Sequence, residues 1–303
     1  MRVIELEAGD LRLVVLPELG GGIARFDLAR SNGVAPLFRP WAGACADPNT
    51  LGCYVLCPFS NRISGGGLEA GDRFWPLAAN FAGEPYPIHG DAWQHPWTVQ
   101  EASATMLALV LESGSMPPFA YRAQLTYELV AHALRARLTV EHQGEVAVPY
   151  GLGFHPWLPR TPATTLQAAA EAVWLERPDH LPDRCLPVSQ RPEWDFGKPR
   201  PLPCSWINNG FFGWSGRARI EWPERGLGLE IEAGDGLGSY VLYSPSAEAD
   251  FFCFEPVSHA VDAFHLLGGP QAHGLKLLRP GDGFGIECRF LIAEEGRPSC
   301  GGS

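Results

Sequence analysis

Glu255 follows four apolar residues, Phe251-Phe252-Cys253-Phe254, and stands immediately before Pro256. A continuous apolar run of this kind reads as a strand buried on both faces. Pro256 holds Glu255 out of the helical region and supplies no ladder donor, so the strand is expected to stop there with the carboxylate at its end. Partial desolvation would raise the carboxyl pKa toward the range of a general base near neutrality. The alternative is a carboxylate that caps a turn or pairs with an arginine. Tyr150-Gly151-Leu152-Gly153-Phe154 leads in the same way to His155-Pro156, with Trp157 following. His155 is thereby expected at a second strand end, where an imidazole can give or take a proton at physiological pH. Gly151 and Gly153 leave room for a ligand or a second backbone, and Trp157 offers a flat apolar face. His95-Pro96 repeats the dipeptide without this context, so the dipeptide alone carries little.

Three further stretches could bind rather than react. Asn61-Arg62 precedes the turn Ser64-Gly65-Gly66-Gly67 and sets an amide beside a fixed fork of donors suited to oxygen ligands. Pro87-Ile88-His89-Gly90 presents another imidazole in a turn. Trp206-Ile207-Asn208-Asn209-Gly210-Phe211-Phe212 mixes amides with aromatics, which suits a neutral polyhydroxylated ligand: sugar C–H faces stack on rings and hydroxyls bond amides. The plain alternative there is an Asn-Gly turn between two buried strands. No Gly-x-Ser-x-Gly elbow, phosphate-binding glycine loop or His-Glu-x-x-His pair occurs. The spacing of His89, His155, His259 and Glu255 matches no metal pattern, so no metal is expected.

The elements that must position these groups are strands. The 303 residues carry 35 Gly and 28 Pro, which argues for many turns and few long helices. Leu11–Leu16 and Gly22–Leu28 flank a glycine-rich turn as an opening hairpin. Residues 121–129 and 134–140 alternate apolar with polar side chains and form an antiparallel pair with one wet face. Further strands are expected at 107–111, 217–222, 227–231, 240–243 and 285–292. Residues 164–173 lean to strand, and the proline-rich 177–203 segment reads as a long irregular loop of the sort that borders a site. With no linker between halves, the chain is expected to be one all-β domain over 1–295, a sandwich of packed, twisted antiparallel sheets, followed by a disordered tail at 296–303.

Charge limits the partners. Lys and Arg number 23 against 34 Asp and Glu, a net charge of −11, which disfavours nucleic acid and anionic membranes. Charge arrives too early in Met1-Arg2-Val3-Ile4-Glu5 for a secretory apolar segment, and no run is long enough to span a bilayer. A cytoplasmic protein is expected, with its eight cysteines reduced.

In order along the chain, Gly20-Gly21-Gly22-Ile23-Ala24-Arg25, Asn61-Arg62, His89-Gly90, Gly153-Phe154-His155-Pro156, the Asn208 region and Phe254-Glu255-Pro256-Val257-Ser258-His259 resemble the aldose 1-epimerase (mutarotase) family. The resemblance implies a β-supersandwich, no cofactor, and interconversion of the α and β anomers of a free monosaccharide by a monomer or homodimer. By the same resemblance Glu255 is the general base toward the anomeric hydroxyl and His155 the general acid toward the ring oxygen. Arg62 and His89 would hold ring and hydroxyl oxygens, with Asn61, Asn208, Trp157 and Phe211 completing the substrate site. The family usually has Asp where this chain has Asn208, a difference that bears on sugar preference. Two other readings fit the fold: a hexose-6-phosphate 1-epimerase, which would want clustered cations, and a carbohydrate-binding or sensing protein without turnover. A glycosidase pair of Glu255 with Asp262 is disfavoured, because one turn supplies both.

Overall fold

The computed structural model describes residues 1–43 and 46–294. The tail expected after residue 295 lies outside the described residues. Two large antiparallel sheets account for most of the fold. The first has eleven strands, and its middle runs in the order Cys53–Leu56, Gly153–Pro159, Phe251–Val257, Ser239–Ser244, Ile207–Phe212, Ala172–Glu176. The second has nine, centred on Gly283–Glu294, Ala133–His142, Phe119–Val130 and Met106–Met116.

Both expected hairpins are present: Leu11–Leu16 pairs with Gly22–Arg30, and Tyr121 through Leu129 faces His142 through Leu134. In the latter pair, Tyr121, Ala123, Leu125, Tyr127 and Leu129 are buried, as the two-residue period requires. The inner faces of the two sheets share one large apolar core, bridged by contacts such as Phe38 on Phe290 and the Trp222 indole N–H donating to the Pro159 carbonyl.

The structure corrects one expectation, refines a second and removes an alternative. Residues 177–203 are not wholly irregular, since Pro182–Pro187 forms an edge strand on Ala172–Glu176. Residues 164–173 split between two strands, Thr165–Gln167 in one sheet and Ala172–Glu176 in the other. Asn208-Asn209-Gly210 is the middle of a continuous strand, Ile207–Phe212, and not a turn.

Candidate active site

The site lies on the face of the eleven-stranded sheet turned away from the shared core. Along Gly153–Pro159, Phe154 and Leu158 enter that core, which leaves His155 and Trp157 to the opposite face. Along Phe251–Val257, Phe252 and Phe254 point inward, while Cys253 and Val257 join a smaller cluster with Tyr54, Trp93, Trp157 and Val241. Glu255 shares this outer face, two residues from each of them.

The strands do not stop at their prolines; Pro156 and Pro256 both lie inside strands. The Trp157 N–H bonds Gly52 on one side of its strand, so its even-numbered neighbours aim their N–H groups at Phe251–Val257. The Ser258 N–H bonds Leu152, so even-numbered residues of that strand aim back. Pro156 and Pro256 occupy such positions, and each removes a donor from the same ladder. Pairing is accordingly found at Gly153–Val257 and again from Trp157–Cys253, and is interrupted between them. His155 and Glu255 face each other across this interruption.

His155 Nε2 lies 3.3 Å from Glu255 Oε1, with the side chains only 7% and 4% exposed. The imidazole is sandwiched between Tyr54, at 4.5 Å, and Trp157, at 5.4 Å between ring centroids. His155 Nδ1 and Glu255 Oε2 are buried without a hydrogen-bond partner. Burial pushes the Glu255 carboxyl up to about 8, against a smaller opposing pull from Arg62, and pushes His155 down to about 3. Both causes favour the uncharged forms, so at neutral pH the pair holds one proton, mainly on the carboxyl.

Arg62 and His89 adjoin the pair. The His89 ring lies 5.2 Å from His155, edge to face. The Asn61 N–H donates to His89 Nδ1 at 3.0 Å, which leaves the ring hydrogen on Nε2 and makes that nitrogen a donor. Arg62 donates to both oxygens of Glu84 at 2.8 Å and to Asn61 Oδ1 at 3.2 Å. The Asn61 Oδ1 also accepts from the Arg62 backbone N–H at 3.0 Å, so this oxygen is spent on Arg62. The φ of 59° at Asn61 and the 62° of His89 are left-handed conformations that mark both as constrained turn residues. Behind them, His259 accepts from the Ser60 N–H at 2.9 Å and bonds the Ala260 carbonyl at 2.7 Å.

Asn208 lies on the outer face, opposite Tyr243, with its Nδ2 donating to Glu176 Oε1 at 2.6 Å. Phe211 does not line the site. Three positions along a strand reverse the face, and Phe211 stacks on Tyr240 at 4.6 Å inside the main core. Trp157 borders the pair, with the Arg39 guanidinium 3.7 Å above its ring. Cys253 brings its sulfur into the set: ligand atoms of His155, Cys253 and Glu255 lie within 4.8 Å of one another and could hold a soft divalent ion. Against this, burial and then the nearby Glu255 keep the Cys253 thiol well above its ordinary pKa.

Sequence reasoning missed Tyr54, Glu84, Glu176 and Cys253 as parts of the site. Only Glu176 had a readable signal, an acidic residue two positions after Trp174 in a run that otherwise looks buried.

A family model described as aldose 1-epimerase matches residues 2–290. The uncharacterized protein YphB of Escherichia coli K12 is 36% identical over 291 residues, covering 93% of this chain and 96% of its own length. A crystal structure of a candidate aldose 1-epimerase from the same organism superposes with a TM-score of 0.88 at 34% identity, over 97% of this chain and 99% of that one. The GalM/aldose epimerase homologue of C. elegans shares the fold, with a TM-score of 0.81 at 15% identity over 97% and 99% of the two chains. On the extent of the family match and the identity to its relatives, this chain belongs to the aldose 1-epimerase family.

Proposed function

We propose that the protein interconverts the anomers of a free aldohexose, with Glu255 and His155 as the acid–base pair. The observation that carries this reading is the 3.3 Å approach of two buried, oppositely shifted titratable groups. In the tautomer that has the pair's proton on His155 and leaves Glu255 ionised, Glu255 takes the proton of the anomeric hydroxyl of the cyclic sugar while His155 gives its proton to the ring oxygen; the C1–O5 bond breaks and an aldehyde forms. After rotation about C1–C2, His155 takes the proton back from the O5 hydroxyl as that oxygen attacks C1. Glu255 returns its proton to O1. Between the two half-reactions the pair's single proton sits on the carboxyl, the form that burial already favours. His89 Nε2–H and the remaining Arg62 donors are suited to hold ring and hydroxyl oxygens.

Arg62 is already engaged by Glu84, which favours a neutral sugar over a phosphate ester. The same reading places a monomer or homodimer in the cytoplasm; among the described residues no helix is long and apolar enough to cross a membrane. Anomer exchange followed by proton NMR across a panel of monosaccharides tests the proposal. Exchange faster than buffer that collapses in Glu255→Gln is expected. Binding by calorimetry with exchange at the buffer rate would instead point to a sugar-binding protein.

A further inference from the structure

The acid–base chemistry uses an imidazole and a carboxylate and leaves a third donor beside them unemployed. Cys253 stands two residues before Glu255 on the same strand and face, opposite Trp157 in one neighbouring strand and Tyr243 in the other. Its sulfur, a His155 nitrogen and a Glu255 oxygen all lie within 4.8 Å of one another, and all three residues are buried. Cys253 belongs to an apolar cluster with Tyr54, Trp93, Trp157 and Val241.

One nitrogen, one sulfur and one oxygen make a donor set that zinc takes and a hard ion such as magnesium does not. The distances fit. Zinc bonds of about 2.0–2.1 Å to nitrogen and oxygen, at tetrahedral angles, put those two donors about 3.3 Å apart. His155 Nε2 lies 3.3 Å from Glu255 Oε1. Sulfur at about 2.3 Å from the ion belongs about 3.5 Å from each of them, so from separations within 4.8 Å a shift of at most about 1.3 Å closes the set.

Charge fits as well. With nothing bound, the thiol keeps its proton and the acid–base pair holds one more; the ion replaces both, and the two protons leave for solvent. Zinc with a thiolate, a carboxylate and a neutral imidazole carries no net charge, so the exchange adds none to a buried site. Glu255 Oε2 and His155 Nδ1 are buried without partners. The free oxygen can turn to the ion, whereas the ring nitrogen lacks the acceptor that normally locks a zinc-bound histidine, which makes the ion exchangeable and not permanent. On the proposed function a sugar reaches this pair, and an ion can follow the same path.

We propose that His155, Cys253 and Glu255 form a zinc site, and that zinc held there stops anomer exchange by occupying both members of the acid–base pair. The stoppage rests on the reading of that pair; the binding does not.

The test titrates the chelator-treated full chain with zinc chloride and, separately, with cobalt chloride. Calorimetry should find one tight zinc per chain, and cobalt should give a near-ultraviolet charge-transfer band from sulfur. Cys253→Ser should lose the band and raise the zinc Kd about hundredfold, since losing even a group that only orients a ligand costs about 10–100-fold. Cys185 and Cys204 are exposed, and a band arising from them would survive in that variant. Zinc should stop glucose anomer exchange, EDTA should restore it, and magnesium should leave it unchanged. Read against its own metal-free rate, Cys253→Ser should need about hundredfold more zinc for half-inhibition. Zinc affinity and inhibition unchanged in both Cys253→Ser and Cys253→Ala, or a cobalt complex without the sulfur band, would overturn the site. Zinc bound through Cys253 while exchange continues would overturn the stoppage. No exchange of any sugar by the metal-free chain would instead strike at the acid–base reading, and the cobalt band would still decide the site.

Discussion

His155 and His259 are both buried, and burial pushes both below their ordinary pKa, to about 3 and about 4. By burial and titration they look alike. Their hydrogen bonds separate them. His259 spends both ring nitrogens on backbone groups, Ser60 and Ala260, and so fixes the entrance to the Asn61-Arg62 loop. His155 has one nitrogen without a partner and the other facing a carboxylate that itself has a free oxygen. A perturbed pKa marks burial; unspent hydrogen-bonding capacity in a buried group is what marks a place for a ligand.

The largest effect that would sharpen this contrast is expected at the pair. Glu255→Gln and His155→Gln should each lower kcat for anomer exchange by about 10²–10⁴ with the melting temperature near pH 6 retained, read by NMR exchange and thermal unfolding. Next comes pH. Above about 8 the pair loses its single proton, so kcat/KM should fall about tenfold per unit, and this alkaline limb should vanish into the residual rate of Glu255→Gln.

The sign for stability follows from the same group. A carboxyl raised in the fold contributes stability that is complete below its ordinary value and lost as pH rises through about 8. Wild type should therefore melt lower at pH 9 than at pH 6, and Glu255→Gln should flatten that slope.

His259→Gln should behave differently. Its cost should appear as about 1–3 kcal/mol of stability, from unpaired buried backbone groups, with a smaller loss of activity expressed mainly in KM through Arg62. A loss as deep as that of Glu255→Gln, with stability intact, would break the comparison and assign His259 to the chemistry. The smallest effect is expected at Asn208→Asp, which sets two carboxylates about 2.6 Å apart across the bond to Glu176. KM for sugars should rise severalfold at pH 8 and recover toward pH 5, as one carboxyl is protonated.

Much of this was legible in the chain. Clean alternation located the Phe119–Val130 and Ala133–His142 strands, because one face is wet and the period shows. His155 and Glu255 could be singled out because a titratable residue inside an apolar run before a proline is costly without a reason. What period-two reasoning should have excluded was Phe211 beside Asn208, since three positions on a strand face opposite ways. Glu84 and Tyr54 were not readable, because their importance comes from loops and strands brought together over long sequence distances. Nor did either proline alone reveal that both remove donors from the same ladder.

That shared interruption has a practical consequence. The break in pairing between the Gly153–Pro159 and Phe251–Val257 strands follows from two imino acids in the main chain, not from the imidazole and carboxylate that face each other across it. These two side chains can therefore be exchanged while the backbone around them persists. On the proposed function, a chain with both side chains replaced would be a natural starting scaffold for a reporter that captures a sugar without altering it.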